Sequence, residues 1–188
     1  MSVLAPSAPA GSEAALRLGD AADLARLDAL HRRCTRETLR RRFHTAVPVV
    51  PQRLARQTLL PAGGWSVVAE LGADLVGMAC TGPLSGSDLE VGILVEDAHQ
   101  GRGIGTRLLR HVADEAAARG YRSMVCLTEP DNRAAERALA RTGLDTTSTT
   151  EDGMLEVTVL LRAADAAPRG RPGSPRRVRA RRGGSPRP

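Results

Sequence analysis

Apolar residues recur at spacings of three and four through Leu24, Leu27, Leu30 and Cys34, which predicts a helix, with Asp20 able to cap its start. Thr35 can open a second helix carrying Leu39 and Phe43, and Pro51 a third carrying Leu54. The period then falls to two. Residues 65–71 and 75–81 flank a turn at 72–74 and predict a hairpin, and residues 89–95 predict another strand beyond the turn at 85–88. Past residue 95 the period returns to 3.6: Leu108, Leu109, Val112, Ala113 and Ala116 form one stripe, and Gly120 stands where a helix commonly ends. Residues 122–128 read as an apolar strand, 132–142 as a short helix ending at Gly143, and 145–150 with 154–161 as strands about a turn at Asp152 and Gly153. The order is mixed α/β with an antiparallel start and end, and no internal repeat.

Residues 1–14 and 163–188 lack any period and are dominated by Ala, Pro, Ser, Gly and, at the end, Arg, so both are expected to be disordered around one domain at 15–162. The 188-residue chain carries +6, but eight arginines and one acid fall within 163–188, leaving −1 for the rest. Polyanion contact is therefore expected of the tail, not of the domain. With only Phe43, Trp65 and Tyr121 as aromatics, a stacking platform for single-stranded nucleic acid is excluded. All 27 basic residues are arginine, which fits a GC-rich coding bias. Cys34, Cys80 and Cys126 show no CxxC spacing, so neither a disulfide framework nor a zinc site is indicated. The expectation is a reducing cytoplasm, because no apolar run or leader points to a membrane or to secretion.

Between the strand at 89–95 and the following helix stand Gly101, Gly103 and Gly105. Glycines there let backbone approach a ligand, and the first N–H groups of a helix favour an anion, so a diphosphate is the fitting partner. No Gly-Lys-Ser/Thr follows, which excludes a Walker A loop, and the spacing is not GxGxxG. By residues alone the loop is equally a glycine-rich turn that holds nothing.

Gln100, Gly101, Arg102, Gly103, Ile104 and Gly105 match the Q/R-x-x-G-x-G/A signature, and with this setting the chain resembles the GNAT superfamily of acyl-CoA-dependent N-acyltransferases. Asn132 with Gly143 and Leu144 is similar to that family's N-x-x-A…G-F element, and the likeness spans residues 15–162. The run 35–43 also resembles a segment of the GNAT domains of bacterial protein-lysine acetyltransferases. The resemblance implies a mixed, mostly antiparallel sheet with helices on both faces, whose central parallel strands, 89–95 and 122–128, splay to admit pantetheine. It implies acetyl-CoA as co-substrate and no metal. Main-chain groups of Ile93, Leu94 and Val95 would pair with pantetheine, amides of Gln100, Gly101, Arg102, Gly103, Ile104, Gly105 and Thr106 would take the diphosphate, and Asn132 would hydrogen-bond the cofactor. An amide near Gly92 or Ile93 could polarise the thioester carbonyl.

Attack on a thioester needs an unprotonated amine, hence a base. Alternation puts Glu90, Gly92 and Leu94 on one face of their strand and Val91, Ile93 and Val95 on the other. In several family members an acid placed like Glu90 is the base; by residues alone Glu90 is equally a solvated strand residue. Glu129 and Asp131 are weaker alternatives. The family often uses a tyrosine four residues before the glycine of its G-F element to protonate the leaving thiolate, and Leu139 stands there. Cys126 is a covalent nucleophile or, more simply, a small buried residue; Asn132 can cap a helix, and His99 reads as an exposed loop residue. Arg36, Arg40, Arg41 and Arg42 fall where this fold overlies the acceptor, to bind an acidic partner or to form a solvated face. The expected activity is direct transfer of an acetyl group from acetyl-CoA to a primary amine of a small molecule or a protein lysine. The alternatives are a non-catalytic acyl-CoA-binding module and a nucleic-acid-associated protein acting through its tail.

Overall fold

The changes of period along the chain fold into a seven-stranded sheet with helices on both faces, in a computed structural model that describes residues 13–46 and 48–161. The elements are β1 (Ala15–Leu18), a 3₁₀ turn (Ala21–Asp23), α1 (Leu24–Arg33), α2 (Arg36–Phe43), α3 (Gln52–Leu59), β2 (Ser66–Leu71), β3 (Asp74–Pro83) and β4 (Asp88–Val95). They continue as α4 (Ile104–Ala118), β5 (Ser123–Thr128), α5 (Arg133–Ala140), β6 (Thr146–Glu151) and β7 (Met154–Leu160). Strand order is β1-β2-β3-β4-β5-β7-β6, antiparallel throughout except for β4 with β5.

The sheet has a core on each side. Leu27 and Leu30 of α1, Leu39 of α2 and Leu59 of α3 bury against Val68, Met78 and Leu94. On the other face the α4 stripe of Leu108, Leu109, Val112 and Ala116 packs on Val67, Leu89, Val91, Met124 and Val159, with Leu139 of α5 beside it. Each leucine so enclosed contributes roughly 2 kcal/mol of burial. The predicted turn chemistry is present: Thr35 accepts the Thr38 N–H at the start of α2, and Gly120 takes φ 88° after α4.

Two boundaries differ from the sequence reading. Composition assigns 1–14 to a leading disordered segment, yet Ala14 is buried, its carbonyl accepting from Arg107 at 2.8 Å, because β1 pairs with β2 and draws the preceding residue into the core. β1 itself was not predicted: four residues give too short an alternation, and its pairing is to strand residues some fifty positions away. Asp20 caps the 3₁₀ turn that leads into α1, in a reciprocal box with Asp23. Residues 1–12 and 162–188, including nearly all of both predicted disordered segments, lie outside the described residues.

His31 on α1 is 4% exposed, and neither ring nitrogen has a hydrogen-bond partner among the described residues. Burial, with a further push from the Arg42 charge, lowers its pKa from 6.5 to about 4. The native ring therefore stays neutral where the unfolded chain takes up a proton. Its contribution is complete above pH 6.5 and lost as pH falls towards 4, roughly 3 kcal/mol in all. Urea unfolding of His31→Leu is expected to show a much flatter stability profile between pH 6.5 and 4.5; an unchanged slope would place the acid sensitivity elsewhere.

Candidate active site

β4 and β5 pair only at Asp88 with Ser123, Leu89 with Met124 and Glu90 with Val125, although β4 runs on to Val95 and β5 to Thr128. Past Glu90 the two strands part. The opening is a cleft of about 440 Å³ between Val91 to Val95 on one wall and Cys126 to Thr128 on the other. Glu90, the last residue of β4 paired with β5, stands exposed at its vertex. Alternation is as predicted: Leu89 and Val91 enter the α4 core and Leu94 the opposite one, so Glu90 and Gly92 share the α1–α3 side.

The glycine loop closes the wide end. Gly101 and Gly103 take φ of 77° and 81°, a left-handed backbone that a side chain would strain. The first helical bond of α4 runs from the Arg107 N–H to the Gly103 carbonyl at 3.0 Å, which leaves the amides of Ile104, Gly105 and Thr106 without an intrahelical acceptor at the positive end of the helix dipole. The Gln100 amide is already bonded to the Asp97 carbonyl at 3.2 Å, and its side chain turns back to the Val95 carbonyl at 3.1 Å. Thr106 Oγ1 donates to Ala138 O at 3.2 Å, tying α4 to α5. Asn132 caps α5 by accepting the Ala135 N–H at 3.2 Å and donates to Thr128 Oγ1 at 3.0 Å.

The cleft brings together Glu90, Ile93, Leu94, Val95, Gln100, Gly101, Gly103, Ile104, Gly105, Thr106 and Asn132. Arg102 is not among its lining residues; it is exposed on the outer side of the loop, near Glu13 and Arg107. His99 is half-buried rather than exposed and borders the cleft, with Nδ1 unpartnered among the described residues. Leu139 is 6% exposed in the cleft wall and offers no proton. Burial pushes the Cys126 thiol up to about 12, and the nearby Glu90 charge adds to this.

Helix α2 roofs the opening, pinned at both ends. At its start, the Thr35 N–H and Oγ1 each donate to Asp97 at 2.8 Å and Thr38 Oγ1 donates at 2.7 Å. Burial works against the Asp97 charge, yet these bonds hold its carboxyl below the usual range. At the far end Arg40 is clamped to Glu129, and Arg41 reaches Asp131 at 3.5 Å. Glu37 brackets both arginines at 2.8 and 2.6 Å, and Arg40 above all holds its carboxyl down to about 2. Glu129 and Asp131, the alternative bases, are thus committed to α2. Arg42 alone of the cluster turns inward: its Nη2 lies 2.7 Å from Cys80 Sγ, and a Cβ added to Gly92 would come within 2.6 Å of its Cζ. The sequence carried the signal, since Arg42 follows the buried Leu39 by one turn of helix.

The acetyltransferase (GNAT) family model matches residues 25–144. The chain belongs to the GNAT acetyltransferase family. Among solved structures, the GNAT domain of PAT from S. lividans is 23% identical, with TM-score 0.73, over 79% of this chain and 90% of that one. Structure yncA from Salmonella typhimurium, described with its cofactor acetyl-CoA, is 26% identical, with TM-score 0.59, over 84% and 98% of the two chains. A phosphinothricin acetyltransferase of the GNAT superfamily from Sinorhizobium meliloti, in complex with acetyl-CoA, is 20% identical, with TM-score 0.65, over 87% and 97%. Among curated proteins none matches the chain. This GNAT acetyltransferase has, among its described residues, no helix long and apolar enough to cross a membrane and no cluster of His, Cys, Asp and Glu placed to hold a metal ion.

Proposed function

We propose that the protein moves an acetyl group from acetyl-CoA directly to a primary amine, with Glu90 as general base. The observation that carries this is the place of Glu90: the pairing of β4 with β5 ends at that residue, and the opening it starts leads to the free amides of α4. Structures of similar fold described with acetyl-CoA support the same reading. The co-substrate supplies an acyl group activated as a thioester. Backbone of Ile93 to Val95, without a β5 partner, suits the pantetheine amides, and the amides of Gly101 to Thr106 suit the diphosphate. Asn132 also lines the cleft, and Arg102 contributes at most its amide, as its side chain lies outside the cleft.

The amine nitrogen bonds to the thioester carbonyl carbon while its proton passes to the Glu90 carboxylate, directly or through a water; the C–S bond then breaks and the thiolate is protonated. Neither Leu139 nor Cys126 supplies that last proton. Leu139 has none, and a thiol near 12 would have to give its proton roughly three units uphill to an ordinary thiolate, so water is the donor. The same value leaves Cys126 almost wholly un-ionised at neutral pH, too poor a nucleophile for a covalent acetyl-cysteine. Cys126→Ala is accordingly expected to keep kcat within a few-fold of the parent; complete loss with cofactor binding intact would revive the covalent route. The overall reading is tested by thiol release from acetyl-CoA against a panel of amines and peptides: turnover with any amine supports it, and tight acetyl-CoA binding without turnover would instead identify a binding module. The arginine-rich tail offers polyanion contact that the transfer step does not require.

A further inference from the structure

Most of the acids that surround α2 are matched by partners on that helix. Glu37 and Glu129 hold Arg40, Glu37 and Asp131 hold Arg41, and Asp97 accepts from Thr35 and Thr38. Beneath α2, Asp97 is satisfied by its threonine donors, whereas Glu90 and Arg42 have neither an ion pair nor a hydrogen bond to oxygen among the described residues. They stand on the same face of the sheet. Glu90 and Gly92 are two residues apart on β4, about 6.6 Å along the strand, and the Arg42 guanidinium lies against Gly92. That guanidinium is half-buried beside the Phe43 ring, 5.2 Å from its centroid, and donates to the Cys80 sulfur alone. Sulfur is a weak acceptor, and the remaining donors of a five-donor fork have no partner among the described residues.

A half-buried guanidinium with open donors calls for an anion, and a planar one fits a carboxylate in two-pronged fashion. Resting on the acetyl-transfer reading above, we infer that the acceptor is an amino-acid-type molecule, its amine at Glu90 and its carboxylate on Arg42. Glu90 and Arg42, neighbours on one face of β4, then match the two charges of a zwitterion. Gly92 is what permits this, since any side chain there would displace the guanidinium. Cationic acceptors, such as polyamines or a lysine among basic neighbours, are disfavoured by the same charge.

The full-length protein with acetyl-CoA is assayed by thiol release on pairs of α-amino acids and their carboxamides. The carboxamides have the more readily deprotonated amine, so preference for the free acid runs against intrinsic reactivity. The parent is expected to prefer the acids; Arg42→Gln should lower kcat/KM for them by roughly 30-fold or more and change the carboxamides far less, with Arg42→Lys between. Equal losses on both series, or a parent that favours carboxamides or polyamines, would overturn the inference. A second measurement does not depend on turnover: calorimetry of N-acetyl-amino acids on protein saturated with coenzyme A. Binding that weakens in Arg42→Gln supports the site even if no amine is acetylated, an outcome that would sink the transfer reading alone. Equal binding by parent and variant, or none by the parent, sinks the carboxylate site alone.

Discussion

Glu90→Gln is expected to lower kcat by roughly 10²–10⁴ while leaving acetyl-CoA affinity and the melting transition close to those of the parent. Binding is preserved because the α4 amides and the β4 backbone beyond residue 90 are untouched, and because Glu90 is exposed and in no side-chain hydrogen bond or ion pair among the described residues. The loss should shrink as pH approaches the acceptor amine's own pKa, since an amine that arrives neutral needs no base. A structural role would instead reduce activity alike at every pH. The pH profile of kcat for both proteins is the deciding measurement, and a variant with near-parental kcat at neutral pH would remove Glu90 from the chemistry.

The second large effect is expected from Gly103→Glu. The left-handed φ of 81° at this helix N-cap costs a non-glycine residue roughly 1–2 kcal/mol, yet an added Cβ would meet nothing within 4 Å, so the fold should survive. What changes is the anion site: a carboxylate at the N-terminus of α4 competes for the amides and repels a diphosphate. Calorimetry should show acetyl-CoA binding weakened by roughly 10²-fold or more. Gly103→Ala carries the same strain without the charge and should lose far less. Parallel losses in the two variants would make backbone strain the cause; undiminished binding by Gly103→Glu would take the loop out of the site.

Much of this architecture was legible because period and composition agree. The α4 stripe beginning at Leu108, the hairpin about Gly72 and the glycine loop all carry local signals strong enough to survive tertiary context. β1 was not legible, since four residues become a strand only by pairing with distant β2. The site divides along the same line. Glycines 101, 103 and 105 announced themselves; helical spacing from Leu39 marks the face on which Arg42 lies, but its partner Cys80 and the double pinning of α2 were not legible, because they depend on contacts 38 to 90 residues apart in the chain. Gln100 shows the limit in reverse: the motif marks it, but its side chain serves the end of β4 and α2.

The early end of pairing between β4 and β5 gives the sheet two raw edges in its interior, on the strands that would ordinarily be best protected. Exposed edges recruit other strands and lead to aggregation. Here α2 lies over one side of the gap and α5 stands beside it, leaving a slot lined by both. No folded neighbour can enter such a slot edge-on. A slender, flexible molecule that brings its own amide groups can, so the shielding that keeps the edges from other proteins also sets the thickness of what they accept.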